Sequence, residues 1–210
     1  MENALEILFE SAPKVRLLRL FMHNSDQEFA LAQIQKRCQM AGSSLKREVK
    51  NLLRSGVIKE RIGYVTQEKN DENNDVEVKQ PKGKKAVLYF LNKDFSLLGE
   101  LRDLVLKSFV TPRKHLLSQI RRLGRIKLAV ISGIFIGNDM TRTDLLIVGE
   151  DIKARAFSSF LARMESEMGK SLRYTVMDTE EFKYRRDMYD RFLRDVLEFP
   201  HEKLINKLNI

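Results

Sequence analysis

The sequence predicts an α+β fold, with helices and strands sorted unequally along the chain. Three observations carry this. Apolar residues recur at helical spacing through roughly the first 55 residues, two β-like runs then flank a long polar tract, and from about residue 124 strand and helix patterns alternate.

The first helix is expected over 13–24, where Val15, Leu17, Leu18, Leu20 and Phe21 form its apolar side. A second, over 27–39, carries Phe29, Leu31, Ile34 and Cys38. After a turn at Met40-Ala41-Gly42, Ser43 or Gly42 is placed to cap a third helix, in which Leu45, Val49, Leu52 and Leu53 recur at i, i+4, i+7 and i+8. Ser55-Gly56 ends it, with Gly56 suited to the left-handed position that closes a helix. Strands follow at 57–66 and 86–92. The tract between them, 67–85, is too polar to bury a face and reads as a long hairpin tip. Three helices followed by a two-stranded hairpin is the order of a winged helix-turn-helix.

Helical spacing resumes from Asp94, a candidate cap, to Phe109, with Leu97, Leu98, Leu101, Leu104 and Val105. Thr111-Pro112 restarts a helix to about Leu123, with proline in its preferred first-turn place. Then come a strand at 126–132, a strand at 144–149, a helix at 152–168, a strand at 172–177 and a helix at 179–197. The domain map is therefore a winged helix at 1–93, a helical connector at 94–123 and a small mixed-sheet domain at 124–210.

Charge and cysteine content narrow the function. A net charge of +9 over 210 residues favours a polyanionic partner. No apolar run approaches the roughly 18–20 residues of a membrane span, so no membrane partner is expected. The N-terminus lacks the basic-then-apolar order of a signal peptide, and a cytoplasmic location is the expectation. Cys38, at helical spacing from Ile34 and Leu31, reads as a small core residue. His23, His115 and His201 are scattered and suggest neither a zinc site nor a catalytic triad, and no cofactor is expected.

The third helix carries its polar residues opposite its apolar stripe. The second helix of a helix-turn-helix pair enters the major groove with its N-terminal residues at base edges. Ser44, Arg47 and Lys46 are placed for base contact, Lys50 and Arg54 for phosphate, and Ser43 lies on the same polar face. Lys79, Lys82, Lys84 and Lys85 cluster at one base of the hairpin, where a wing would touch the backbone or minor groove. The acidic run 71–75 argues against the hairpin tip itself lying on phosphate. The site set is Ser43, Ser44, Lys46, Arg47, Lys50, Arg54, Lys82, Lys84 and Lys85, and the partner is double-stranded DNA.

In the last third, Ser132 is followed by a Gly133-Ile134 turn, and a strand opens Arg142-Thr143-Asp144-Leu145-Leu146-Ile147. This layout resembles the nucleotidyltransferase superfamily that includes DNA polymerase beta. The order of the runs 32–37, 44–58, 100–107, 144–149 and 174–182 resembles prokaryotic proteins fusing a winged helix to such a domain, sometimes grouped with MarR- or ArsR-type regulators. The resemblance implies transcription regulation from the first domain and a polymerase-beta-like fold for the second. Active members use a Gly-Ser turn to cradle phosphate and an Asp-x-Asp pair to hold Mg²⁺. Here Ile134 stands at the Ser position and Arg142 at the first Asp, the intervening loop is short, and 172–176 supplies no third carboxylate. A cation beside a divalent ion costs more than about 1 kcal/mol even with strong screening. The expectation is a domain without catalysis or bound metal, with Asp144 pairing with Arg142 or capping a strand end, and used for homodimerisation or for sensing a nucleotide through Arg142 and the Gly133 turn. The rival is an enzyme that moves a nucleotide from a triphosphate to a protein or small molecule.

Overall fold

The computed structural model describes residues 4–65, 84–107, 113–137 and 141–210, which form a mixed α+β structure with two small sheets. Helix α1 spans Ala4–Leu8 and α2 spans Ala12–His23. Ser11 caps α2 by accepting from the Lys14 amide, and Pro13 sits in its first turn, where the missing N–H is not needed. Val15, Leu17, Leu18, Leu20, Phe21 and Met22 are all buried, together with Arg19. A helix apolar nearly all round belongs in the middle of a structure, and α2 lies against α1 and several later helices.

The next helix, α3 (Leu31–Cys38), starts later than the apolar spacing predicts because Phe29–Ala30 form a short strand, β1. Cys38 is buried, and desolvation pushes its thiol pKa up to about 12, which leaves it a core residue. Helix α4 spans Gly42–Arg54. Its cap residue is Ala41, which offers no side-chain acceptor, so Gly42 and Ser43 lie inside the first turn instead of capping it. Strands β2 (Ile58–Val65) and β3 (Lys84–Leu91) pair antiparallel from Ile58↔Leu91 to Val65↔Lys84, and the sheet order is β1-β3-β2. Of the tract expected as a hairpin tip, 67–83 lies outside the described residues, as do the Lys79 and Lys82 assigned to it. Asp94 does not cap a helix. Its carboxylate accepts from Lys59 Nζ at 3.0 Å, and α5 begins at Leu98 and runs to Lys107. Thr111 and Pro112 fall outside the described residues, and α6 spans Arg113–Ile120. The stretch expected as a connector is divided between two cores: Val105 joins the N-terminal one, Leu116 and Ile120 the C-terminal one.

The C-terminal half contains β4 (Arg125–Ile131), a 3₁₀ turn (Gly133–Ile136), β5 (Leu145–Glu150), α7 (Ala154–Met168), β6 (Tyr174–Met177), α8 (Thr179–Asp187), α9 (Arg191–Glu198) and β7 (Glu202–Asn206). Its sheet order is β6-β5-β4-β7, parallel only between β5 and β6, which α7 connects. Ala129, Ile131, Leu145 and Ile147 face α6 and α7, while Leu128, Val130, Leu146 and Val148 face α8 and α9. Burial on both faces is why β4 and β5 read as unbroken apolar runs. The single helix expected at 179–197 is two. Tyr189 takes a left-handed backbone (φ 54°), and Asp190 then caps α9 by accepting from the Leu193 amide.

The halves meet where the C-terminal end of α7 rests on α2. Arg19, 2% exposed, donates through Nη1 to the Glu167 carbonyl at 2.9 Å. Asn24 Nδ2 bridges the Leu20 and Gly169 carbonyls at 2.7 and 2.8 Å. Arg19 and Asn24 thus answer the Glu167 and Gly169 carbonyls, which the end of α7 leaves without helical partners. Burial lowers the Arg19 pKa, against the pull of Glu6 and Glu167, and burial likewise raises that of the Glu167 carboxyl. Gly169 has φ +76°, and a Cβ there would strike the Arg19–Leu20 backbone, so two independent reasons require glycine. Among the described residues no helix is long and apolar enough to cross a membrane.

Candidate nucleic-acid interface and the Asp144 site

Helix α4 presents two unlike faces. Leu45, Val49 and Leu52 are buried, and so is Glu48 on the same side. A carboxylate taken from water needs partners, and Glu48 has several. It accepts from Ser11 Oγ at 3.1 Å, Asn51 Nδ2 at 3.2 Å and Arg47 Nε at 3.4 Å, with Lys14 Nζ at 4.0 Å. These contacts tie α4 to the start of α2. Glu48 was not anticipated as functional or structural, although its place three residues after Leu45 and next to Val49 put it on the apolar side.

On the other face Ser43, Lys46, Arg47, Lys50, Asn51 and Arg54 are exposed, with Ser44 half-buried. Arg47 remains 68% exposed despite its contact with Glu48. Lys46, Lys50 and Arg54 form no ion pair among the described residues. Lys84 and Lys85 are exposed at the start of β3, opposite Val65 and Tyr64. Other hairpin cations are already committed: Lys59 to Asp94, and Arg61 to Glu28 at 2.8 Å. Just after β3, Lys93 pairs with Asp26 and holds that carboxyl below its usual pKa. The hairpin also exposes Ile62, Tyr64 and Val87, with Ile62 opposite Val87 and Tyr64 opposite Lys85. Period-two spacing of apolar residues along β2 was the available signal for this row.

The second site lies where β4 and β5 enter the 3₁₀ turn. Asp144 is 2% exposed, and of the two roles expected for it the pairing with Arg142 does not occur, while its carboxylate does accept from backbone amides just after β4 and just before β6. Arg173, just before β6, takes it in a two-pronged grip, Nη2 to Oδ1 at 3.0 Å and Nε to Oδ2 at 3.1 Å. The Arg173 amide donates to Oδ2 at 2.9 Å and the Ile134 amide to Oδ1 at 3.1 Å. Arg142 instead pairs with Asp195 on α9 at 2.9 Å. The reversal follows from the pairing: Arg142 lies before β5 and is drawn to Asp195, whereas the parallel β5–β6 register brings residue 173 level with 144.

The surrounding polar groups are also turned inward. Ser132 Oγ donates to the Thr143 carbonyl at 2.6 Å, and Thr141 Oγ1 donates to the same oxygen at 3.0 Å. Thr143 Oγ1 contacts the Leu145 and Arg173 carbonyls at 3.2 and 3.1 Å. Gly133, at φ +56°, leaves no room for a Cβ beside the Asp144 carboxylate. The Gly133 turn, one alternative for contacting a phosphate, has its Ile134 amide directed to Asp144. This donor set does not fit a divalent ion, because both oxygens of the one carboxylate are engaged by a guanidinium and two amides. Among the described residues no group of acidic, His or Cys side chains has metal-binding geometry. Arg173 was the residue the sequence reading missed, and its signal was a cation at the strand position where a third carboxylate was sought. No protein family, curated protein or solved structure matches the chain.

Proposed function

We propose that this chain is a cytoplasmic, DNA-binding transcriptional regulator, with residues 1–93 a winged helix and α4 the element that enters the major groove. The observation that carries this is the division of α4: its apolar side and Glu48 are held against α2, and its cationic side is open along the whole helix. The element order supports it, since α3 and α4 are followed directly by the β2–β3 hairpin. Arg47, near the N-terminal end, reads base edges with Ser43, Ser44 and Lys46. Lys50 and Arg54 meet phosphate, and Lys84 and Lys85 with Lys82 supply the wing contact.

Residues 124–210 are read as a nucleotidyltransferase-like domain that keeps its frame and not its chemistry, used for dimerisation on two-fold DNA sites or for sensing a nucleotide. The Arg173–Asp144 clamp supports an inactive site, because removing a buried carboxylate's guanidinium to admit a metal leaves other donors still engaged. A mobility shift on random duplex DNA tests the reading. Retarded complexes that weaken steeply with salt are expected, and unchanged mobility at low salt would contradict duplex binding. Incubation with labelled ATP and Mg²⁺ tests the enzyme alternative, and label transferred above background would overturn the inactive assignment.

A further inference from the structure

We infer that the C-terminal half holds a second anion site, specific for phosphoryl groups, in a cleft of about 290 Å³ lined by Arg121, Gly124, Arg125, Ile126, Lys127 and Lys207. The cleft is at the opposite end of the sheet from Asp144. Arg125 pairs with Glu150 in the β4–β5 ladder, and Ile131 with Leu145, so the two sites are separated by the length of β4, roughly 20 Å. It is therefore distinct from the Asp144 site and does not rest on duplex binding by α4.

The cleft is built by an irregularity in the strand. The β4–β5 register slips between Ile126 and Leu128, which leaves Lys127 unpaired in the ladder as a β-bulge. The slip sends Ile126 and Leu128, two residues apart, into cores on opposite faces of the sheet. Bulges recur where a strand must re-aim a side chain, and here Lys127 lines the cleft beside Arg125. The Lys127 carbonyl accepts from the Lys207 amide at 2.8 Å, which fixes the end of β7 as the facing wall.

Charge selects the ligand. Arg125 is answered by Asp151 at 2.7 Å, and Lys127 more loosely by Glu150 at 3.9 Å. Glu150 is itself occupied by Thr179, whose hydroxyl and amide donate to it and hold its pKa down. Arg121 and Lys207 form no ion pair among the described residues, so the cleft keeps two uncompensated cations from different elements. Two spare cations around a small concavity suit a multiply charged phosphoryl group better than a single carboxylate. The volume is near the lower limit of small-molecule sites, about 300 Å³, enough for a phosphorylated group and not for a large cofactor. The same chemistry is offered by a nucleic-acid backbone and by a free nucleotide.

The experiment is calorimetric titration of the full chain with tripolyphosphate, repeated on two double variants. Arg121→Gln with Lys207→Gln should weaken binding by about tenfold or more, and Lys46→Gln with Lys50→Gln, which removes equal charge from α4, should leave it within about twofold. Parallel titrations assign the source. If the cleft variant weakens binding of a labelled duplex, the phosphate is that of a nucleic acid; if it weakens ATP alone, the ligand is a free nucleotide. Failure of the wild-type protein to bind tripolyphosphate, or equal losses in the two variants, overturns the site. Loss of duplex binding in the α4 variant alone bears on the regulator reading and leaves the cleft standing.

Discussion

Arg47 and Arg173 each lie beside a buried carboxylate, yet one is open to a ligand and the other is spent. The difference is in what the carboxylate has without them. Glu48 keeps Ser11, Asn51 and Lys14 when Arg47 turns away, so that guanidinium, 68% exposed, is available at little cost. Asp144 has two backbone amides and otherwise depends on the fork of Arg173. Whether a cation serves binding or stability is therefore set by its neighbour's other partners more than by its own exposure.

The largest effect should come from breaking the committed pair. Arg173→Ala leaves Asp144 buried and short of a counter-charge, and should destabilise the fold by about 2–3 kcal/mol, less than the roughly 3–5 kcal/mol of a fully buried pair because Arg173 is half-exposed and screened by solvent. Thermal unfolding checks this, and adding Asp144→Asn to the variant should recover much of the loss. Arg47→Ala should shift stability by no more than about 0.5 kcal/mol in the same assay. Equal destabilisation by both variants would erase the contrast.

Next is the seam between the halves. Gly169→Ala places a Cβ against the Arg19–Leu20 backbone at a left-handed position, and should cost about 2 kcal/mol in denaturant unfolding. Duplex affinity should fall by less than stability does if the C-terminal half serves through its shape.

For the open pair the readout is binding. Arg47→Ala should weaken duplex binding by about 1–3 kcal/mol and relax base preference, measured by competition between duplex sequences. Lys84→Ala should act less on affinity and reduce the salt slope by about one.

The smallest effect concerns Glu167. Burial raises its carboxyl pKa above the ordinary 4.5, outweighing Arg16, His115 and Arg163. A raised folded-state pKa means the group's contribution to stability is fully present below the unfolded value and lost as pH rises through the folded value. Glu167→Gln should therefore raise the melting temperature at neutral pH, with the gap closing as the pH falls below about 4.5.

Much of the fold was legible because its signals are local. The stripe Leu45, Val49, Leu52 needs only α4's own period, and the runs at β4 and β5 need only burial on both faces. What was not legible depends on residues far apart. Phe29–Ala30 become a strand because β3 offers Tyr89 and Leu88 as partners, which no spacing near residue 29 announces. Strand β7 likewise exists through its pairing with β4. The break at Met188-Tyr189-Asp190 contains no Gly or Pro, so helical periodicity ran across it. At the candidate sites the cationic face of α4 was visible from its own sequence. The partner of Asp144 was not, since it lies 29 residues away and is aligned only by the parallel strand pairing.

In the proposed function the open face of α4 binds duplex DNA while Arg173 and Asp144 hold the fold. Fluorescence anisotropy of a labelled duplex, across about 50 to 200 mM salt, measures it directly. The wild-type protein should bind with an affinity that falls linearly on logarithmic axes, and the triple change Lys46→Gln, Arg47→Gln, Lys50→Gln should abolish most of it while the melting temperature holds. Binding by the triple variant equal to the wild type, with the same salt slope, would contradict the account.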